Sequence, residues 1–235
     1  MRPDPSQGVF ETMLVRGGHI QALELHLRRL GRSVAAVYGM TLPRDLPGRV
    51  RDAAAGLRGE HRLRVDVIPG QASSVSVGPV APGYRQRRVT VEPFVVPGGL
   101  GPHKWRDRRL LDIAARHRAA ISPRDPGVET APLVIDADGT VLEAAWGNLW
   151  LLEHDRLITP PADGRILPGV TRALLLERAP SLGLRAVQEP IGLERARAAP
   201  VAFATSAIRL AVPVTLAGGP ASPDAPVSRI RAALA

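Results

Sequence analysis

The chain has 235 residues, of which 45% are hydrophobic, 23% charged and 3% aromatic, and its net charge is +9. That balance provides a core built mainly from Leu, Val, Ile and Ala, in one large domain or two small ones sharing a cleft. The absence of cysteine excludes disulfides, a thiolate nucleophile and cysteine-bound metal, and no apolar run reaches the length of a transmembrane helix.

Residues 9–15 read as a first strand, closed by a turn at Gly17-Gly18. Leu27, Leu30, Val34 and Val37 follow at helical spacing with Gly39 as a stop, and a second, alanine-rich helix is expected over 45–57. Alternating strands come next at 63–68, 73–77 and 89–96, so 1–96 reads as a compact α+β unit. Residues 97–102, Pro-Gly-Gly-Leu-Gly-Pro, read as an interdomain linker and 103–235 as a second domain. That domain opens with a helix beginning at Lys104, with Leu110, Leu111, Ala114 and Ala115 on one face. Two hairpins follow, 133–136 with 140–143 and 149–152 with 157–159. A helix opens near Pro168-Gly169-Val170-Thr171, where Pro and Gly are tolerated. Strands around Ala186 and at 201–204, then a short helix, complete the chain.

The arginines are spread along the whole length, and no basic run is interleaved with stacking aromatics, so nucleic acid is not an expected partner. A small anionic substrate suits such a field. The start of the chain lacks the apolar core of a signal peptide, and no membrane association is expected, which makes the cytoplasm the default compartment. The G-x-S-x-G, H-E-x-x-H and P-loop signatures are absent. His19, His26, His61, His103, His117 and His154 show no ligand spacing; no metal is expected, and most of them read as surface or helix-face residues.

Of the 31 basic residues, 30 are arginine and one, Lys104, is lysine. Arginine stays protonated, whereas a desolvated lysine loses its proton and attacks a carbonyl as an amine. A GC-rich coding bias would also leave few lysines. The surroundings of Lys104 decide between accident and chemistry.

Five segments supply those surroundings. They are Gly8-Val9-Phe10-Glu11-Thr12-Met13; His26-Leu27-Arg28-Arg29-Leu30 with Ser33; Leu142-Glu143 with Asn148-Leu149; Thr159-Pro160 with Leu167-Pro168-Gly169-Val170-Thr171-Arg172; and Thr205-Ser206-Ala207 with Pro213-Val214. In order and spacing they resemble the class IV aminotransferases, pyridoxal-phosphate enzymes of fold type IV, and cover nearly the whole chain from residue 8. The resemblance implies an α+β fold of two domains, a small N-terminal α/β lobe and a larger C-terminal β-rich lobe. It also implies pyridoxal 5'-phosphate as cofactor and a homodimer.

What the resemblance implies for single residues is chemically coherent. Lys104 would form a Schiff base with the cofactor and then serve as general base and acid. Glu143 would keep the pyridine nitrogen protonated, although a solvated strand-end carboxylate is the plain alternative. Arg29 would bind the phosphate, with Arg28 facing solvent. Val170 and Thr171, at a helix N-terminus, and Ser206 and Ala207, on an opposite loop, would complete the phosphate cup. Thr171 and Ser206 could equally be ordinary caps. Asn148 is counted with the cofactor-binding set.

The reaction is a second question. Lys104-Trp105-Arg106-Asp107-Arg108 resembles the K-x-x-N/D-R pattern of aminodeoxychorismate lyases, which release 4-aminobenzoate and pyruvate in folate or secondary-metabolite supply. The asparagine–tyrosine pair of branched-chain aminotransferases is missing, and Phe10 stands where D-amino-acid aminotransferases often have tyrosine. The lyase reading therefore leads, with an aminotransferase of branched-chain or D-amino acids behind it and a non-catalytic basic binding protein as the alternative of another class. Substrate carboxylates need cations: Arg209 is the first candidate and Arg108, one helical turn after Lys104, the second. Arg64 comes third, and Phe10 is placed with the substrate-binding residues. Most members begin with a further strand and a G-D-G loop, here replaced by Ser6-Gln7-Gly8, so an exposed edge is expected on the first lobe.

Overall fold

The computed structural model describes residues 2–84, 88–121 and 128–235, apart from the side chains of 88, 117–121 and 128; the side chain of His117 thus lies outside the described residues. The chain divides into two compact units, Met1–Pro82 with His103–Leu110, and Gly83–Pro102 with Leu111–Ala235. Helices and sheets are mixed in both, the α+β class that the sequence implies.

In the first unit, β1 (Val9–Arg16), β2 (His19–Ile20), α1 (Leu23–Tyr38), α2 (Leu46–Ala54), β3 (Glu60–Val67) and β4 (Ser74–Pro79) follow in order. The strands form an antiparallel sheet in the order β2-β1-β3-β4. Period-two alternation decides its faces. Val9, Met13 and Val15 of β1, with Leu63, Val65 and Val67 of β3, are buried against Leu27, Leu30 and Val34 of α1 and Leu46, Val50 and Ala54 of α2. The helical residues recur at three- and four-residue spacing, which is what gives each helix one apolar face. Each such leucine or valine contributes about 1.5–3 kcal/mol by leaving water.

The flank of β1 is covered, while β4 remains at the other edge of the sheet. Beside the N-terminal half of β1, the Phe10 N–H donates to the Lys104 carbonyl at 2.9 Å, Arg106 N–H donates to Gly8 O at 3.0 Å, and Trp105 bridges Val9. Short β2 pairs only Val15 and Arg16, and residues 104–106 continue the same side of the strand. The reason is backbone satisfaction: unpaired N–H and C=O groups of β1 find partners in a later segment.

That pairing changes two expectations. Lys104 does not begin a helix; it lies in extended chain, and α3 (Arg109–Ile121) starts five residues later. On α3, Leu111 and Ala114 are buried but Ala115 is exposed.

The second unit contains β5 (Arg88–Val95), β6 (Val128–Ile135), β7 (Thr140–Ala144), β8 (Asn148–Glu153) and β9 (Arg156–Thr159). After α4 (Val170–Arg178) come β10 (Arg185–Gln188), β11 (Ile191–Gly192), α5 (Leu193–Ala198), β12 (Val201–Ser206), β13 (Leu210–Leu216) and α6 (Asp224–Leu234). The sheet order is β10-β9-β8-β12-β13-β5-β6-β7-β11. A further bridge between Ala144 and Gly147 ties β7 to β8, so the six strands from β8 to β7 curl back on themselves. Val91, Leu133, Val141, Leu149, Leu151, Ala204 and Val212 belong to the core of this unit.

The strand at 88–95, expected in the first domain, runs parallel to β6 and β13 in this large sheet. Residues 97–102 are pinned within the same unit. Gly98 N–H donates to Asp136 at 2.9 Å, and Gly101 N–H to the Arg165 carbonyl at 3.2 Å. The boundaries thus differ from 1–96, 97–102 and 103–235: Gly83–Pro102 falls in the second unit, where the strand at 88–95 pairs, and His103–Leu110 in the first. The short β2, β11 and α5 carry no sequence period long enough to announce them.

Candidate active site

In the first unit the site is built around Lys104. Its backbone is fixed by the Phe10 pairing, and its Nζ stands 4.7 Å from the centre of the Phe10 ring. Arg64 of β3 lies over the same ring, 3.9 Å from its centre, and forks onto Asp66. An aromatic face attracts cations, so Phe10 carries two positive groups.

The segment after Lys104 is anchored by its own charges. Arg106 pairs with Asp66 at 2.7 Å. Asp107 accepts from Asp4 N–H at 2.9 Å and from both Nε and Nη2 of Arg109 through its two oxygens. The Arg109 hydrogen bonds hold the Asp107 carboxyl well below the usual carboxylate range. Arg108 lies outside α3, which starts at Arg109, so the helical-turn relation to Lys104 does not exist.

Glu11 is the polar residue on the α1-facing side of β1, and it is almost completely buried. Arg29 of α1 forks onto it, and His26 Nδ1 lies 2.8 Å from its second oxygen. A carboxylate only accepts, so the His26 Nδ1 carries the hydrogen. Burial would raise the Glu11 carboxyl, but the Arg29 charge and the bonds from His26 and Arg29 outweigh it and hold it at about 2. Burial pushes His26 down despite the acid beside it. His26 is thus a core residue rather than a surface one, and His103 meets Ser33 of α1 at 3.1 Å.

In the second unit the assigned residues gather at one end of the curled sheet. Glu143 of β7 is buried and accepts from Leu167 N–H with both oxygens at 3.3 Å. Asn148, first in β8, donates to the Leu167 carbonyl at 2.8 Å. The same residue thus receives both side chains. Gly169 follows, where a Cβ would stand 2.0 Å from the Asn148 Oδ1; only glycine fits that approach. From there Val170 and Thr171, both buried, open α4, whose N-cap residue, Gly169, has no side chain to cap it. An uncapped helix start presents N–H groups to an anion.

Across from Asn148 is Thr205, its register partner on β12. Trp150 Nε1 holds the Thr205 hydroxyl at 2.9 Å. Gly147 packs so close that a Cβ would lie 2.3 Å from the Thr205 carbonyl. Ser206 and Ala207 begin the turn into β13, and Ser206 Oγ accepts from Arg209 N–H at 3.4 Å. The Arg209 guanidinium is buried and bonds Glu129 at 2.7 Å.

The sequence profile of the class IV amino-transferases matches residues 8–217. The chain belongs to that family. A probable branched-chain-amino-acid aminotransferase of Rickettsia bellii is 34% identical over 215 residues, 81% of this chain and 71% of its own. The chain spans about a third of the length of two other curated relatives it matches, 33% and 34%. Among solved structures, a hypothetical aminotransferase of Mycobacterium tuberculosis, with α-ketoglutarate and PMP bound, superposes with a TM-score of 0.80 at 25% identity, covering 97% of this chain and 88% of that one. A Legionella pneumophila protein provisionally named a 4-amino-4-deoxychorismate lyase gives a TM-score of 0.75 at 19% identity, covering 96% and 89%, and shares the fold.

This member of the class IV family also holds, among the described residues, buried or partly buried side chains that the assigned site did not include. Arg172 is buried and donates from Nη2 to the Pro160 carbonyl at 2.7 Å and to Gln188 at 2.8 Å, tying α4 to the loop after β9. Its place in the L-P-G-V-T-R stretch was the available signal. Trp146, three residues beyond Glu143, stacks on Arg209 with the guanidinium carbon 4.5 Å from its ring centre. Only the fold brings those two together.

Proposed function

We propose that this chain is a pyridoxal-5'-phosphate-dependent aminotransferase of small amino acids, with branched-chain substrates first. The observation that carries its cofactor dependence is the chain's one lysine, Lys104, on a backbone locked to β1. The likeness to the Rickettsia protein supports amino-group transfer over the other reactions of the family.

The residues suit the cofactor. The uncapped start of α4, the Gly169 approach and the turn at Ser206-Ala207 suit a phosphate, and buried Glu143 suits a protonated ring nitrogen. When bound, pyridoxal phosphate supplies an aldehyde that takes up amines and a ring that draws electrons from the neighbouring carbon. Lys104 would hold it through Nζ and, once released, move a proton at the substrate carbon. Glu143 would hold the proton on the ring nitrogen, and Asn148 would keep Leu167 and Gly169 in place. Arg29, steadied by Glu11, would bring its cation to the phosphate. The same reading assigns the chain to a cytoplasmic homodimer.

A second reading, aminodeoxychorismate lyase, is favoured by the Lys104–Arg108 motif. One of its defining residues, Asp107, is already engaged in holding the segment to Asp4 and Arg109, which weakens the motif as a reaction signature. The test is to add pyridoxal phosphate and follow visible absorbance, then supply branched-chain amino acids with and without a keto-acid acceptor. Acceptor-dependent exchange is expected. Pyruvate released from aminodeoxychorismate without acceptor would favour the lyase, and no chromophore would sink both.

A further inference from the structure

The His103 ring bridges the lysine segment to α1. Its Nδ1 meets the Ser33 hydroxyl at 3.1 Å, and the ring stands edge-on to Trp105, with 5.2 Å between centres and 84° between planes. Ser33 is buried, and Trp105 packs against the core that contains Leu30 and Val34. Lys104, between the two rings in sequence, sits in a three-residue turn closed by Trp105 N–H donating to the His103 carbonyl at 3.1 Å. Trp105 is bridged to Val9, which faces α1. The next pair along, Lys104 and Phe10, therefore points to the opposite side by the period of two, and Lys104 Nζ stands 4.7 Å from the Phe10 ring centre. Whatever holds the two flanking rings against α1 thus decides where the amine points.

The helix supplies this anchor from a polar stripe. His26, Arg29 and Ser33 of α1 are all buried and follow at three- and four-residue spacing, so they share one face. His26 and Arg29 hold Glu11 of β1, and Ser33 holds His103 in the segment paired to that strand. Burial pushes the His103 ring down, so it is neutral at pH 7.5 and Nδ1 gives or accepts a bond to a hydroxyl according to its tautomer. We infer that His103 is a positioning residue: through Ser33 and Trp105 it fixes the face on which Lys104 presents its amine, and ties that amine to the helix that carries Arg29. The ring lies on the α1 side of the segment and is not a catalytic group. The inference rests on the aminotransferase reading for the role of the amine, but not for its placement.

The single lysine makes the test direct. Reductive methylation with isotope-labelled formaldehyde marks only Lys104 Nζ and the chain's amino terminus, and NMR tells the two signals apart. In the full-length protein free of cofactor, the Lys104 methyl protons are expected upfield of their free-amine position, displaced by the Phe10 ring. His103→Leu, its folding checked by melting temperature, is expected to lose that displacement. His103→Asn, whose amide stands near the place of Nδ1, is expected to keep most of it. Ser33→Ala is expected to lose it as well, and the double change to lose no more than either alone, since both remove the same link. In the cofactor-loaded enzyme the Leu and Ala variants should lower kcat about tenfold with KM little changed, the behaviour of a misplaced reacting group. Should His103→Leu fail to fold, Ser33→Ala decides alone. An undisplaced Lys104 signal in the unaltered protein, a displacement that survives His103→Leu or Ser33→Ala, or an Asn variant no better than the Leu one overturns the inference. Failure to form a chromophore with pyridoxal phosphate would instead sink the functional reading, since the NMR signal depends on neither cofactor nor turnover.

Discussion

Glu11 and Arg29 close a buried ion pair through two contacts, Nε to Oε1 at 2.7 Å and Nη2 to Oε2 at 2.8 Å. The pair joins β1 to α1 in a region otherwise sealed by Met13, Leu27, Leu30 and Val34. Breaking such a pair by removing one partner costs about 3–5 kcal/mol, because the other charge stays buried and alone.

The pair makes stability depend on pH. The Glu11 carboxyl falls from 4.5 to about 2 on folding, so its contribution is complete above 4.5 and is lost as pH drops toward 2. That shift corresponds to on the order of 3 kcal/mol. His26, pushed down by burial, adds a loss that begins below its ordinary value of 6.5, because the unfolded chain takes up the proton first. Urea midpoints measured from pH 7.5 downward should fall in two stages. The double variant Glu11→Gln with Arg29→Met should show a smaller lower stage, since Asp66 and Asp107 are lowered as well; an unchanged profile would remove Glu11 from the account.

Lys104→Ala should abolish turnover while leaving the fold intact. The contact that pairs residue 104 with β1 is its carbonyl, which alanine retains. The melting temperature should move by less than about 2 °C, in line with a change near 0.5 kcal/mol. Borohydride reduction of the unaltered protein with pyridoxal phosphate should label residue 104. Turnover in the alanine variant would refute the assignment.

Glu143→Gln keeps the shape of the side chain and leaves one oxygen to accept from Leu167 N–H. Cofactor retention should therefore change little, while turnover falls by about a hundredfold or more, the scale of losing one electrostatic group at a reacting centre. Steady-state rates beside a cofactor titration separate the two effects. If both fell together, Glu143 would be holding the loop rather than tuning chemistry.

Gly169→Ala should injure the proposed phosphate end of the site without touching Lys104. Its φ of −62° suits any residue, so the penalty comes from the added methyl meeting Asn148 Oδ1. Relieving that clash moves Asn148 off the Leu167 carbonyl, for about 1–3 kcal/mol of stability. Pyridoxal phosphate should dissociate more readily on dialysis; equal retention would argue against a phosphate at the start of α4.

Much of the local structure was legible in the sequence. Period-two runs marked β1, β3 and the hairpin of β6 with β7, and the Leu27–Val34 spacing marked α1, because burying one face of an element leaves a periodic trace. The motif residues Glu143, Asn148, Thr171 and Ser206 could be singled out for the same reason that they are local: each lies in a short stretch of distinctive order. Tertiary structure decided what periodicity cannot encode. Residues 88–95 look like any other strand until β6 and β13 claim them, and 104–106 look like a helix start until β1 needs backbone partners. The sequence also says nothing of the Arg209 guanidinium resting on Trp146, or of Glu11 finding Arg29. Such relations join residues from separate strands and helices, and their energies exist only once burial has removed the water that would otherwise satisfy each group.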